Sequence, residues 1–212
     1  MNTSPAAAIV RRNLTLDSLR AIAALTVLIN HVLKKETSFL SPEVAGVLLF
    51  FLISGYCIVG SMNSLGQRPI REFLIRRFFR LYPVYWIAIA FVVGLTYFVK
   101  GLNYPKPIPL GEFFANLTMF QTALGIPDLY GVFWTLFIEL IFYGIIVFLL
   151  LFRVAFRIET YILGCIVFTL GPWIAAHFAR LVGFEIPYIP FRNTLFLSLF
   201  MLGGVTSMIY RE

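Results

Sequence analysis

Two ionisable side chains interrupt the first apolar stretch of the chain, Leu16 to Leu33. Arg20 and His31 are separated by ten residues, none of which is ionisable. In an α-helix, eleven residue steps advance about 16 Å and rotate about 1100°, so both side chains share one face to within roughly 20°. A charge near the centre of a bilayer costs roughly 2.5–3.5 kcal/mol, and such residues usually face a cavity or a partner. The spacing therefore predicts a polar site inside a membrane.

Each of these two residues also has a purely structural interpretation. Arg20 could pair with Asp17, which lies three residues earlier on the same side of a helix. His31 could make a single hydrogen bond to a neighbouring helix. However, an imidazole titrates near neutral pH, which also suits His31 to act as a general base toward a hydroxyl group. From the residues alone, both interpretations stay open.

A third buried charge lies in the stretch FWTLFIELIFYGIIVFLLLF, where Glu139 has only apolar and aromatic neighbours. Thr135, Glu139 and Tyr143 recur at four-residue spacing, which places them in a polar stripe on one helix face. A carboxylate in such surroundings takes up a proton or seeks a cation. Glu139 could therefore orient or charge-balance His31, or form a structural interhelical ion pair with Arg20, His31 or an arginine of residues 67–80.

Five arginines and one acid crowd the segment QRPIREFLIRRFFR, residues 67–80. In a helix, Arg76 and Arg80 are one turn apart, and Arg77 lies about 60° around from Arg80. Guanidinium groups bind phosphates through paired hydrogen bonds, so the three could hold a phosphorylated donor such as coenzyme A. Positive residues beside a membrane span are also typical of a cytoplasmic loop. We expect such a loop to run into the third helix, with Pro83 in the first turns of that helix.

Composition indicates the class of protein. Of 212 residues, 60% are hydrophobic and 13% are charged, which is too apolar for a soluble domain of this length. The sequence predicts an all-α, polytopic transmembrane helix bundle, a single domain over residues 1–212 with a cytoplasmic N-terminus. About six spans are expected, at residues 16–33, 45–62, up to 99, 133–152, 161–178 and 191–209. Residues 100–128 are expected to carry an interfacial helix or a shallow re-entrant piece.

Charge and cysteine content narrow the possible partners. The net charge of +7 comes mostly from basic residues between the apolar spans. This distribution indicates orientation in a lipid bilayer and does not indicate a nucleic-acid partner. Cys57 and Cys165 lie within apolar spans, and the two histidines, His31 and His177, are far apart. Neither a disulfide nor a metal site is therefore expected.

Four stretches resemble, in the expected order, the signatures of the acyltransferase 3 family of integral-membrane enzymes. The opening signature is an arginine, ten residues and a histidine, and LDSLRAIAALTVLINHV is similar to it. LLFFLISGYCIVG resembles a phenylalanine-rich run that ends in Ser-Gly and an aromatic residue. RRFFRLYPVYW is similar to the family's arginine-x-x-arginine element, and WTLFIELIFY, the most specific match, resembles its tryptophan, glutamate and Phe-Tyr signature.

This resemblance implies an inner-membrane, multi-pass acyltransferase. Such an enzyme would move an acyl group, most often acetyl, from acyl-CoA to a hydroxyl of a cell-surface or exported saccharide, free or lipid-linked. Acyl-CoA would be a donor substrate, with no bound cofactor. The residues implied as catalytic are His31, Glu139 and Arg20, where Arg20 could stabilise developing negative charge. Those implied as substrate-binding are Arg76, Arg77, Arg80, Ser54, Trp134 and Tyr143.

One departure from the family and one other function are also considered. Members usually continue with several more spans, so the chain is expected to be a compact form, a truncated copy, or one whose partner subunit supplies the missing helices. The alternative function is a non-catalytic membrane subunit or a small-molecule transporter. The sequence shows no internal repeat of the kind many transporters carry, which counts against the transporter.

Overall fold

The computed structural model of the chain describes residues 42–98, 108–131, 133–183 and 191–210, together with residues 18, 19, 22, 23, 25 and 26. All the regular elements among these residues are helical. The six isolated residues belong to the predicted first span and are helical too. Arg20 and His31 lie outside the described residues. The all-α prediction is confirmed.

Six α-helices are described. They are α1 (Pro42–Ser61), α2 (Pro69–Phe98), α3 (Leu110–Leu117), α4 (Trp134–Leu151), α5 (Ile158–Leu181) and α6 (Phe191–Ile209), with a short 3-10 turn at Met62–Ser64 after α1. Four segments are long and apolar enough to cross a membrane: Ala45–Ser64, Pro69–Gly94, Trp134–Leu151 and Ile158–Leu181. The segment Asn193–Ile209 of α6 is apolar but shorter. The predicted spans from the second to the sixth each coincide with one of these helices.

The arginine-rich segment differs from its prediction. The expected loop over residues 67–80 is wrong, because α2 already begins at Pro69 and runs without a break for 30 residues. Proline suits the first position of a helix, where its missing N–H would have no intrahelical partner. Glu72 in the first turn accepts a hydrogen bond from the Gly66 amide at 2.8 Å. The arginines therefore stand on a rigid helix, and Pro83 lies in its middle.

Small residues allow α6 to pack closely on two neighbours. A Cβ atom added to Gly55 of α1 would overlap the carbonyl of Phe200, and one added to Gly203 of α6 would overlap the carbonyl of Leu52. On the other side of α6, Gly204 lies against the ring of Tyr161 in α5. Membrane helices associate through such close packing, since lipid is as apolar as their side chains. α6 is thereby held between α1 and α5.

Stacked aromatic rings fill the space between α1, α4 and α6. The ring centroid of Phe51 lies 4.7 Å from that of Phe196, and the centroids of Phe142 and Phe200 are 4.3 Å apart. Phe51, Phe142 and Phe200 are fully buried. Such ring pairs contribute about 0.5–1.5 kcal/mol each beyond the area they bury. They bring the apolar side of α4 against α1 and α6.

Three side chains of α2 hold the end of the short helix α3. The last carbonyls of a helix have no intrahelical donor, and they must find one elsewhere when water is excluded. Here Tyr82 donates to Thr118 at 3.0 Å, Tyr85 to Asn116 at 2.6 Å, and Trp86 to Leu117 at 3.0 Å. The expected helix between residues 100 and 128 is thus present, and it is attached to the middle of α2.

The first prediction tests the contact between α1 and α6. Gly203→Ala should destabilise the protein by about 1–3 kcal/mol, because the added methyl group meets backbone atoms that cannot rotate away. Gly144→Ala is the matched control, since a Cβ there meets nothing within 4 Å. Thermal unfolding of both variants in detergent measures the difference. Equal melting temperatures for the two would contradict the close approach of these helices.

Candidate functional site

The carboxylate of Glu139 is held by a tyrosine one turn further along α4. Glu139 and Tyr143 are both at least 96% buried, and the Tyr143 hydroxyl donates a hydrogen bond to Glu139 Oε1. A buried carboxylate without a donor would cost several kcal/mol. The polar stripe seen in the sequence therefore becomes a bonded pair.

Arg77 of α2 faces this pair. Only 6% of its surface is exposed. The carbon at the centre of its guanidinium lies 5.2 Å from the ring centroid of Phe73 and 5.7 Å from that of Tyr143. The two rings meet edge to face, with centroids 5.8 Å apart. Because the faces of aromatic rings carry partial negative charge, they attract the cation.

The same guanidinium also reaches the last turn of α1. Its Nη2 atom donates to the Ser61 hydroxyl and, at 3.5 Å, to the carbonyl of Ile58. Carbonyls at a helix C-terminus lack intrahelical donors and carry partial negative charge. Arg77 is also near enough to Glu139 for their charges to interact, although the two make no direct ion pair among the described contacts. It thereby joins three helices: α1, α2 and α4.

The other two arginines of the predicted phosphate-binding set are exposed. Arg76 lies 3.6 Å from the carboxylate of Glu72 and donates to the hydroxyl of Ser64 at 2.7 Å and to its carbonyl at 3.0 Å. Arg80 is exposed on the same helix and interacts electrostatically with Arg77 and Tyr143. The three arginines are thus neighbours in sequence but occupy two different environments.

The structure also places Ser54 and Trp134. Ser54 is 1% exposed, and its hydroxyl has no hydrogen-bond partner in the described part of the chain. It lies four and seven residues before Ile58 and Ser61, on the face of α1 that meets Arg77. Ser54 is therefore turned toward the same side of α1 as the buried arginine. Trp134 begins α4 and is half-buried, with its ring centroid 5.5 Å from that of Phe196.

The catalytic roles predicted for Arg20, His31 and Glu139 stay predictions. Arg20 and His31 lie outside the described residues, so their approach to Glu139 remains a prediction. In contrast, the sequence did not predict that Phe73 and the end of α1 would contact Arg77. Phe73 precedes Arg77 by four residues, and this spacing is a usable signal for a contact on one helix face. Ser61 has no comparable signal, because its contact joins different helices.

Comparison with known proteins gives these side chains a context. A family model described as an acyltransferase domain, that of the acyltransferase 3 family, matches residues 13–212. The chain belongs to the acyltransferase 3 family. The resemblance stated from the four signatures is therefore confirmed. Together with the four apolar helices, membership identifies the chain as a membrane protein.

Several relatives in the acyltransferase 3 family carry names that state an activity. The chain is 30% identical over 144 residues to the peptidoglycan O-acetyltransferase OatA of Listeria monocytogenes. That match covers 61% of this chain and 22% of OatA. A Staphylococcus aureus (strain COL) protein, provisionally named O-acetyltransferase SACOL0978, is 36% identical over 92 residues, which are 42% of this chain and 15% of that protein. The chain thus spans less than a quarter of these relatives, and no solved structure matches it.

The arrangement can be compared with what acyl transfer requires. Acyl transfer to a hydroxyl needs a group that accepts the hydroxyl proton and another that stabilises the charge this creates. The carboxyl group of Glu139 is buried between apolar helices and is oriented by the hydrogen bond from Tyr143. Such a carboxylate can hold and charge-balance a general base.

The second prediction separates the hydrogen bond of Glu139 from its charge. Glu139→Gln keeps an oxygen that accepts the Tyr143 hydroxyl, so the melting temperature should change little. Glu139→Leu removes that acceptor and leaves a buried hydroxyl unpaired, which should cost about 1–3 kcal/mol. Thermal unfolding of the two purified variants measures the difference. If Glu139→Gln were as unstable as Glu139→Leu, the carboxylate charge itself would be what holds the helices together.

Proposed function

We propose that this chain is an O-acetyltransferase of the inner membrane. It transfers an acetyl group from acyl-CoA to a hydroxyl of a cell-surface or exported saccharide. The observation that carries the proposal is the buried Glu139, bonded to Tyr143 beside the Arg77 guanidinium, within an acyltransferase domain. Ionisable groups are expensive inside membrane helices and usually mark a functional site. The names of OatA and the Staphylococcus protein support O-acetyl transfer, and peptidoglycan in the name of OatA supports a saccharide acceptor.

The donor binds at the exposed arginines of α2. Coenzyme A carries several phosphate groups, and a guanidinium recognises phosphate through two parallel hydrogen bonds. Arg80 is exposed and carries its charge about one turn from Arg76 on a continuous helix. Arg80 binds a phosphate of the coenzyme, and Arg76, whose Nη atoms already donate to Ser64, adds only its positive charge, so that the thioester extends toward the buried carboxylate. Because the entropy of bringing the reactants together is lost when the donor binds, the barrier of the transfer step is lower.

The transfer itself uses His31 as a general base. Its neutral imidazole removes the proton of the acceptor hydroxyl as the oxygen attacks the thioester carbonyl. The carbon–sulfur bond then breaks, and the coenzyme thiolate leaves and takes up a proton. Glu139 balances the imidazolium charge, and Arg20 stabilises the negative charge on the carbonyl oxygen. These roles describe direct transfer; a route in which the imidazole attacks the thioester and forms an acyl-histidine intermediate is equally compatible with the sequence.

The direct test is acetyl transfer by the purified chain in lipid nanodiscs. Labelled acetyl-CoA is supplied with a saccharide acceptor, and the label is followed onto the acceptor and into free acetate. Label on the saccharide supports the proposal. Donor that stays intact with every acceptor and with water would favour the transporter or the non-catalytic subunit.

The third prediction concerns donor binding by Arg80. Arg80→Ala should weaken acetyl-CoA binding about 10- to 100-fold, since one charge-assisted pair is worth roughly 1.5–3 kcal/mol. Arg80→Lys should recover only part of this loss, because it keeps the charge but not the paired geometry. Isothermal titration with acetyl-CoA measures the affinity.

Arg71 offers a matched control for this experiment. It is also exposed on α2, but nine residue steps put it about 180° around the helix from Arg80. Arg71→Ala removes the same charge and should leave the donor affinity nearly unchanged. If both alanine variants bound donor like the unaltered protein, the arginines would serve only to orient the chain in the membrane.

The fourth prediction concerns His31. His31→Gln should stay inserted and bind donor normally, yet lose about 10²- to 10⁴-fold in transfer rate, the usual worth of a positioned base. Activity of the unaltered protein should rise with pH as the imidazole loses its proton. His177→Gln is the control, since His177 is an exposed residue of α5. A loss below tenfold, or failure of His31→Gln to accumulate in the membrane, would leave His31 a structural residue.

A further inference from the structure

We propose that Arg77 is a positioning residue for the Tyr143–Glu139 pair and does not bind the donor phosphates. The catalytic part of this inference rests on the proposed function. The contacts that support it are independent of that function. It divides the arginine-x-x-arginine element of this chain into two roles. Arg77 positions the buried Tyr143–Glu139 pair, and Arg80 binds the phosphates of the donor.

Accessibility separates the two residues. A phosphate needs a free edge of the guanidinium, with two N–H groups directed at it. Arg77 is 94% buried, and its Nη2 already donates to the Ser61 hydroxyl and to the Ile58 carbonyl. The rings of Phe73 and Tyr143 lie within 6 Å of the guanidinium carbon. Arg80, three residues further along α2, is exposed.

The contacts of Arg77 lead directly to the carboxylate. Its guanidinium contacts the ring of Tyr143, and the hydroxyl of the same tyrosine donates to Glu139. The orientation of the ring decides where that hydroxyl points, so a change at Arg77 reaches Glu139 through a single side chain. A planar guanidinium can contact ring faces and donate in its own plane at once, which an ammonium group cannot do.

Arg77 also sets the distance between helices at this level. Its guanidinium donates to the last turn of α1, and it contacts α4 through Tyr143. Ser54 lies on the same face of α1 as those acceptors. If Glu139 works with groups on neighbouring helices, their separation depends on this guanidinium. An error of about 1 Å in such a separation can cost on the order of 10²-fold in rate.

The test compares Arg77→Lys with Arg80→Ala in the full chain, using acetyl-CoA as the probe. Arg77→Lys should lower kcat at least tenfold and leave both the KM and the Kd for acetyl-CoA within about twofold. Arg80→Ala should instead weaken acetyl-CoA binding about 10- to 100-fold and leave kcat within about twofold. A purely structural arginine would lower the melting temperature but leave kcat per folded molecule unchanged, and that result would overturn the inference. So would a tenfold weaker affinity for acetyl-CoA in Arg77→Lys.

Tyr143→Phe extends the test because it keeps the ring and loses only the hydroxyl. If Arg77 acts through Tyr143, the kcat losses of Arg77→Lys and Tyr143→Phe should not multiply in the double variant. Arg80→Ala should leave the kcat loss of Tyr143→Phe unchanged and add its own loss of acetyl-CoA affinity. Multiplying losses for the first pair would show independent roles and overturn the inference. An acyl group covalently attached to Tyr143 would also overturn the inference, because the tyrosine would then be a nucleophile in the reaction.

A readout independent of turnover is the rate at which a hydrophobic carbodiimide labels Glu139. Arg77→Lys and Tyr143→Phe should both change this rate at least threefold, while Arg80→Ala should not, in variants that retain their melting temperature. An unchanged rate in Arg77→Lys would contradict the positioning role. If the rates respond as expected but the unaltered chain transfers no acetyl group, the proposed function fails and the positioning contact stands.

Discussion

A positive charge buried among apolar helices is the constraint on which the rest of this structure depends. Removing a guanidinium from water costs several kcal/mol, and this cost is offset only when nearby groups replace the lost water. Arg77 obtains two aromatic rings, a hydroxyl and a carbonyl, while its Nε has no partner among the described residues. These partners come from three helices. The contacts of this one side chain therefore link α1, α2 and α4.

α1 takes part in this polar contact and also in a close backbone contact with α6. Its last turn accepts the hydrogen bonds of Arg77, while Gly55, earlier in the helix, lies directly against the backbone of Phe200 in α6. Lipid gives no hydrophobic drive between helices, so this second contact depends on the absence of side chains at Gly55 and Gly203. The bundle thus combines a polar junction with a close backbone contact, and α1 belongs to both.

The short helix α3 attaches to the same framework. Its terminal carbonyls receive donors from α2, and one of these donors, Tyr85, also packs its ring 4.9 Å from that of Phe133. Phe133 immediately precedes α4, the helix of Glu139. The requirement that backbone groups be satisfied away from water therefore helps to place the start of the helix that carries the carboxylate. The site is supported by Tyr85 and Phe133 near the start of α4 and by Arg77 at Tyr143, in the middle of that helix.

The sequence by itself determined the helical class, the positions of the described spans and the placement of Glu139 and Tyr143 on one helix face, because hydropathy and four-residue spacing are local properties of a chain. Its resemblance to four signatures gave the family. It misassigned residues 67–80, since dense positive charge resembles a loop while the helix there is held by the burial of Phe73 and Arg77. Spacing relates the faces of Arg76, Arg77 and Arg80 to one another, but it does not say which face turns inward. Only the tertiary structure decided that Arg77 is the buried one, because its partners on α1 and α4 are distant in sequence and meet it only when the helices pack.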